Sequence, residues 1–175
     1  FEVDLTDEAR RVENRLVSVL WNETCFNAWQ GREVCDVAGN LLAVYFNVGN
    51  KFHHESILSY LEDEQGLRDD TFLKTNYPSY HLTDTYFPFY LLGMHDYHDR
   101  GPYWTWITAL EHLARSRVNA DKAHVSNAER LDEWIQSNEV IPEVLDVDLS
   151  PMKRFAYESE TGFSWTAGLI LAAHH

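Results

Sequence analysis

The chain has 175 residues, which is enough for one domain with a substantial hydrophobic core. Its formal net charge of -14 argues against nucleic acid or an anionic membrane as a partner, because phosphate groups attract basic patches. No segment has the pattern of a transmembrane helix or a signal peptide. Cys25 and Cys35 could pair across one loop, but two cysteines in a chain of this size are more typical of reduced thiols. A cytoplasmic location is therefore expected.

Three helices are predicted in the first part of the chain. Thr6 caps the first, which has apolar residues at helical spacing and runs to about Leu20. A polar and aromatic loop follows. The second helix, about residues 37–48, is uncharged and has Asp36 as its candidate N-cap. The third, about residues 53–65, is amphipathic.

The second part of the chain predicts three more helices separated by long loops. Residues 67–100 are irregular and dense in aromatic and polar side chains, which is typical of a functional loop. A fourth helix begins at residues 101–102, Gly-Pro, because proline is favoured at the first helical position. A fifth spans about residues 120–136. After the loop of residues 137–161, a last helix is apolar on every side and is expected to be buried.

The predicted helices alternate in two respects. Loops after the first, third and fifth helices are long, so that all of them would lie on one face of an up-and-down arrangement. The second, fourth and sixth helices are more apolar than their neighbours, which indicates an inner and an outer ring. No run of alternating apolar residues predicts a strand. The sequence therefore predicts a single all-α domain over residues 1–175, made of three helical hairpins.

Two segments near the end of the chain resemble a known group of enzymes. Residues 141–146, Ile-Pro-Glu-Val-Leu-Asp, resemble the Trp-Pro-Glu-Tyr-Tyr-Asp segment of neutral invertases. Residues 163–168, Phe-Ser-Trp-Thr-Ala-Gly, are similar to the Thr-Trp-Ser helix that follows it there and to the Gly-Phe-Gly-Trp-Thr segment of trehalases. Glycogen-debranching glucosidases share the pattern. All of these are six-hairpin glycosidases with an (α/α)6 barrel.

This resemblance implies a fold and a catalytic residue. Three hairpins correspond to half of an (α/α)6 toroid, so the chain resembles the C-terminal half of such an enzyme. The glutamate of the Pro-Glu segment is the family's catalytic base, which implies that role for Glu143. The catalytic acid, an aspartate, lies in the half that would precede Phe1. Glu158 and Glu160 are rival carboxylates, but we expect them to cap the last helix.

Several aromatic and polar residues are candidates for binding sugar. Residues 101–106 resemble the Gly-Pro-Val-Trp-Pro segment at the rim of the same barrels, which implies a platform at Trp104; a place in the core is the alternative. The other candidates are Tyr103, Tyr80, His81 and Trp165. A metal site at His95, Asp96, His98 and Asp99 matches no strong signature. No metal or cofactor is expected.

Three hypotheses remain open from the sequence. The first is an inverting glycoside hydrolase acting on an α-glucoside or a related sugar, or the C-terminal part of one, with Glu143 as general base. The second is a non-catalytic half-barrel that binds sugar or a partner chain. The third is an unrelated α/α toroid without the base. A carbohydrate substrate is expected, and a homo-oligomer or a complementary N-terminal half would cover the flanks of an open half-ring.

Overall fold

A computed structural model describes residues 6–84, 86–91, 102–118, 122–162 and 164–173. The α-helices in these residues are α1 Thr6–Leu20, α2 Val37–Tyr45, α3 Lys51–Asp63, α4 Phe87–Leu91, α5 Thr105–Val118, α6 Lys122–Ser137 and α7 Ser164–Ala173. A short 3₁₀ helix, Leu82–Asp84, precedes α4. Each of the predicted helices is present, with bounds shifted by a few residues. The short elements α4 and Leu82–Asp84 lie in the segment predicted to be irregular.

The prediction of an all-α fold made of three hairpins, half of a toroid, is wrong. The described residues contain three two-stranded antiparallel pairs. The strands are β1 Cys35–Asp36 with β2 Asn76–Tyr77, β3 Tyr103–Trp104 with β4 Val144–Leu145, and β5 Lys153–Arg154 with β6 Tyr157–Glu158. Each strand has two residues, so none is long enough to show alternating apolarity in the sequence.

One of these pairs displaces a predicted helix start. The Gly-Pro at residues 101–102 predicts helix from that point onward, whereas Tyr103 and Trp104 form β3 and α5 begins at Thr105. In β3, Trp104 lies opposite Val144 and Tyr103 lies opposite Leu145. The two strands are about forty residues apart in the sequence, so the local propensity of either strand does not predict their pairing.

Helix α5 lies at the centre of the fold. It packs against α2, α6 and α7. The larger core cluster includes Val37, Leu41, Ile57, Ile107 and Val144, all fully buried. A second cluster is formed by Phe72, Tyr103, Ala109, Leu131, Leu145 and Ile170. The β3–β4 pair contributes to both clusters, so it fixes where the two parts of the core meet.

Helix α2 begins as predicted. The Asp36 carboxylate accepts a hydrogen bond from the Gly39 N–H at 3.1 Å, which confirms Asp36 as its N-cap. Five of its residues are buried: Val37, Asn40, Leu41, Ala43 and Val44. By contrast, α1 has no buried residue. This difference agrees with inner and outer helices at the start of the chain.

Helix α7 does not follow that pattern. Thr166 and Ile170 are buried, but Trp165 is 57% exposed and Leu171 is 62% exposed. The expectation that α7 is enclosed on all sides is therefore wrong. An uncharged sequence shows that a helix tolerates burial on every face, but α5 covers only one side of it.

A buried ionic cluster joins α5 to the neighbouring chain. The Glu111 side chain is fully buried, and its Oε1 accepts hydrogen bonds from Arg68 Nη2 at 2.5 Å and Arg115 Nε at 2.9 Å. Arg115 Nη2 also donates to Glu62 Oε2 in α3 at 3.0 Å. The cluster ties α3, α5 and the segment before Phe72 together, because buried charges require partners.

Candidate active site at Glu143

The backbone of Glu143 is held on two sides. Its N–H donates to the Glu160 carbonyl at 2.8 Å. Its carbonyl accepts hydrogen bonds from the N–H and the hydroxyl of Thr105, each at 3.2 Å. The next residue, Val144, begins β4, and its N–H donates to the Ser159 hydroxyl oxygen at 2.9 Å. Glu143 therefore lies on a segment fixed between the start of α5 and the β6 region.

The Glu143 side chain is buried, with 8% of the residue exposed. Tyr157, a half-buried residue of β6, donates its hydroxyl hydrogen to Glu143 Oε2 at 2.9 Å. Within the described part of the chain, Oε1 accepts no hydrogen bond from another side chain or the backbone. Tyr157 thus holds one oxygen of the carboxylate, and the described residues leave the other without a hydrogen bond. Orientation by a single donor is a suitable arrangement for a general base.

Two buried threonines connect this segment to α7. Thr105 donates its hydroxyl to the Pro142 carbonyl at 2.9 Å. The hydroxyl oxygens of Thr105 and Thr166 are 3.2 Å apart. Both residues are at most 1% exposed, so these hydrogen bonds form away from bulk water. Hydrogen bonds in such surroundings are stronger and fix the relative positions of the groups they join. The start of α7 is thereby held against the Glu143 backbone.

Trp104 and Tyr103 lie beside Glu143, but inside the core. Trp104 is 7% exposed and Tyr103 is 6% exposed. Trp104 belongs to the larger core cluster, and Tyr103 packs with Phe72, with ring centroids 6.5 Å apart. An indole with so little exposed area has no open face for a pyranose in this conformation. Both residues pair with the strand that directly follows Glu143 and so support this segment from the core.

Trp165 is the exposed aromatic residue near this segment. It lies in the first turn of α7, next to Thr166, and contacts Trp106 edge to face with ring centroids 6.4 Å apart. Trp165 is 57% exposed, so part of its indole is accessible for stacking. Of the sugar-binding candidates, Trp165 has the exposure that stacking requires.

Tyr80 and His81 lie in a different part of the fold. Tyr80 is half-buried and packs edge to face against Trp29 at 4.9 Å between centroids. His81 is exposed, and its Nδ1 is 2.8 Å from the Thr83 hydroxyl oxygen. The contacts of this pair with Trp29 and Thr83 lie near the loop of residues 26–34 and the 3₁₀ helix, whereas Glu143 lies beside the β3–β4 pair. The structure thus separates the candidates into a Glu143 group and a Tyr80 group.

The rival carboxylates have other positions. Glu158 lies in β6, where it forms an exposed ion pair with Lys153 at 3.0 Å. Glu160 is exposed, and its backbone carbonyl accepts a hydrogen bond from the Glu143 N–H. Since α7 begins only at Ser164, the expectation that Glu158 caps this helix is wrong. The β5–β6 hairpin, which the sequence did not reveal, explains both positions.

Tyr157 is a site residue that the sequence analysis missed. It is one aromatic residue in a loop predicted to be irregular, and no local pattern marks it. Its contact with Glu143 depends on the β5–β6 turn. Only the spacing of fourteen residues between Glu143 and Tyr157 relates them in sequence.

The described residues contain no group of three or more histidine, cysteine, aspartate or glutamate side chains that could hold a metal ion. The metal candidates His95, Asp96, His98 and Asp99 lie outside the described residues. Within the described part of the chain, no helix combines the length and apolarity needed to cross a membrane.

No protein-family model matches the chain, and no curated protein shows significant similarity to it. The likeness to the six-hairpin glycosidases therefore rests on the short segments quoted above.

Proposed function

We propose that the chain is an inverting glycoside hydrolase acting on an α-glucoside or a related sugar, or the C-terminal part of one, with Glu143 as general base. The observation that carries the proposal is the buried Glu143 carboxylate, whose Oε2 is oriented by the Tyr157 hydroxyl. A base of this kind removes a proton from the water that attacks the sugar carbon.

Inversion needs a second carboxyl group that protonates the leaving oxygen from the other side, about 6.5–9.5 Å from the base. The resemblance places this acid, an aspartate, in the family's N-terminal half. The proposal therefore includes a complementary N-terminal half, or a second copy, as a partner of this chain. Leu171, which is exposed on the uncharged helix α7, supports a surface that such a partner covers.

The sugar-binding part of the proposal assigns different tasks to the aromatic residues. Trp165 stacks on the sugar, since it is exposed close to the Glu143 segment. Trp104 and Tyr103 hold that segment in place from the core. Tyr80 and His81 belong to a second polar and aromatic surface beside Trp29, which contributes to a more distant part of the substrate site.

The net charge of -14 supports an uncharged ligand such as carbohydrate over nucleic acid. The two buried free thiols support a cytoplasmic location, where the reducing environment maintains such thiols.

The test is the substitution Glu143→Gln, assayed in the assembly in which hydrolysis of glucosides and disaccharides is detected. Glutamine retains the size and can still accept the Tyr157 hydrogen bond, but it cannot take the proton of water. Turnover should fall by about 10²–10⁴-fold, with the fold and the sugar affinity preserved. Circular dichroism and a binding titration provide these two readouts.

Glu158→Gln and Glu160→Gln are the matched controls, because both side chains are exposed carboxylates within the same region. They should retain nearly full turnover. Retained activity in Glu143→Gln together with an inactive control would show that another carboxylate is the base.

The second candidate function is non-catalytic binding of sugar or of a partner chain. The exposure of Trp165 and Leu171 on α7 favours it. Sugar binding that Trp165→Ala weakens, in an assembly that hydrolyses none of the substrates, would support this function over hydrolysis.

A further inference from the structure

The chain's two cysteines, which the proposed function does not use, meet in the fold. The segment between them turns back on itself: the Ala28 N–H donates to the Val34 carbonyl at 2.8 Å, and Asn27 pairs with Cys35 in an antiparallel bridge. Cys25 and Cys35 are each 2% exposed, and both are free thiols. The turn therefore brings two buried cysteines, ten residues apart in the sequence, into the same core cluster.

The surroundings of the two sulfur atoms are polar. The Cys25 and Cys35 thiols lie close enough to change each other's pKa. Asn22 Nδ2 lies 3.7 Å from Cys25 Sγ, and Asn40 Nδ2 lies 3.5 Å from Cys35 Sγ. Asn40 also binds the Phe26 carbonyl at 2.7 Å, so its amide is fixed. Thiols that serve only as small apolar core groups do not need such donors.

Both cysteines line one recess of about 300 Å³. Its walls are formed by Asn22, Thr24, Cys25, Glu33, Cys35, Tyr60 and Tyr77. Glu33 is exposed at its edge, whereas each cysteine is 2% exposed. A recess of this size can admit part of a small molecule but not the surface of a folded protein.

The two thiols differ in acidity. The neighbouring Cys35 thiol and the Asn22 amide lower the pKa of Cys25, although burial opposes them. The neighbouring Cys25 thiol and burial raise the pKa of Cys35. Because the thiolate is the attacking species in disulfide exchange, this difference makes Cys25 the first nucleophile.

We propose that Cys25 and Cys35 are a redox-active pair that closes reversibly into a disulfide by exchange with a low-molecular-weight disulfide. The Cys25 thiolate attacks one sulfur of the small disulfide, forms a mixed disulfide and releases one small thiolate. Cys35 then loses its proton, attacks Cys25 Sγ and releases the second small thiolate. The two released thiolates take up protons, so the small disulfide is reduced to two thiols while the protein gains one disulfide.

Closure of this bond would constrain the loop of residues 26–34. That loop carries Trp29, which packs against Tyr80, and Arg32, which forms an ion pair with Asp84 at 2.5 Å. The oxidised form therefore holds the Tyr80 surface against a cross-linked loop. Closing a loop of this length should raise the melting temperature by about 5–10 °C.

The test equilibrates the full, folded chain with glutathione disulfide and glutathione at a series of ratios. Remaining thiols are trapped with iodoacetamide, and the products are read by mass spectrometry without reduction. We expect both thiols to be lost together as one intramolecular disulfide, reversibly, with the higher melting temperature. The proposal is overturned if the folded chain keeps both thiols at ratios that oxidise the urea-unfolded chain, or if it gains only glutathione adducts.

Two single variants test the order of attack. Cys35→Ser should accumulate glutathione on Cys25, whereas Cys25→Ser should keep Cys35 as a thiol. The opposite pattern would overturn the assignment of Cys25 as the attacking residue. If serine disturbs the fold, Cys35→Ala and Cys25→Ala replace the serine variants. The wild-type measurement tests disulfide formation without any substitution.

Discussion

At the scale of single residues, the contact between Tyr157 and Glu143 defines the candidate site. The Tyr157 hydroxyl holds Glu143 Oε2 at 2.9 Å, so the direction of the whole carboxylate is defined. Tyr157 does not need to touch a substrate to have this effect. Under the proposed function it is a positioning residue, and its removal should change how well the base is aligned more than how well sugar binds.

Tyr157→Phe should therefore lower kcat and leave KM nearly unchanged. A hydrogen bond to a charged group contributes about 1.5–3 kcal/mol, which corresponds to roughly a 10–150-fold effect if all of it is expressed in the transition state. Steady-state kinetics on the hydrolysed substrate provide the measurement. Tyr45→Phe is the control, because that hydroxyl contacts Arg117 in another part of the fold. Equal losses in both variants would contradict a role for Tyr157 at the site.

A second prediction concerns the buried Glu111. Glu111→Ala removes the buried carboxylate that Arg68 and Arg115 share and leaves them only the partly exposed Glu62, so we expect a loss of about 3 kcal/mol in the free energy of unfolding. Urea denaturation measures this loss. Glu62→Ala is the control: its side chain is 41% exposed, and its removal should cost about 1 kcal/mol or less. A small effect of Glu111→Ala would mean that water replaces the carboxylate.

Residue-scale features differ in how far the sequence predicts them. Glu143 was identified because a short motif surrounds it, and Asp36 because N-caps have a local signature. Tyr157 and Arg68 have no such signature. Each acquires its role from a partner brought close by the fold, Glu143 for one and Glu111 for the other.

At the scale of secondary structure, the helices could be predicted and the strands could not. Helices such as α3 and α5 have enough residues to show apolar spacing. A strand of two residues has no period, so β3 and β4 exist only because Trp104 and Val144 meet in the core. These strands nevertheless determine where Glu143 lies, since Val144 follows it directly.

The N-terminus of α2 allows a prediction about a cap. Asp36→Ala removes the acceptor for the Gly39 N–H and should destabilise the protein by about 1 kcal/mol. Asp36→Asn keeps an acceptor without the charge. Because burial raises the pKa of the Asp36 carboxyl, the folded state binds its proton more readily than the unfolded state does.

The sign of the pH dependence follows from that direction. Proton binding to Asp36 makes its own contribution to the free energy of unfolding, separate from the cap. This contribution is fully present below the usual aspartate pKa of about 4 and is lost as the pH rises through the raised pKa of the folded state. Asp36→Asn should therefore be at least as stable as the wild type at neutral pH and lose this relative advantage in acid. Urea denaturation at pH 7 and at pH 4 provides the comparison. An asparagine variant that gains stability relative to the wild type in acid would reverse the sign.

At the scale of the whole molecule, α7 is the element whose surroundings the sequence predicted incorrectly. The helix has apolar residues on all sides because one face packs on α5 and the other faces outward, not because the protein encloses it. An apolar sequence shows that a helix can be buried on every side. It does not distinguish the interior of the chain from a surface that another copy or segment covers.

The outward face of α7 leads to the final prediction, on assembly. Trp165 and Leu171 are exposed on a helix without charged residues, and apolar surface of this kind favours association in water. We expect the isolated chain to associate with a second copy at micromolar concentrations, and Leu171→Glu to shift it toward the monomer because a charge would have to be desolvated in the contact. Sedimentation velocity over a dilution series measures this shift. Phe52→Glu is the control, since Phe52 is 63% exposed on α3, away from α7. A wild-type chain that stays monomeric throughout, or equal effects of both variants, would show that the α7 face does not drive association.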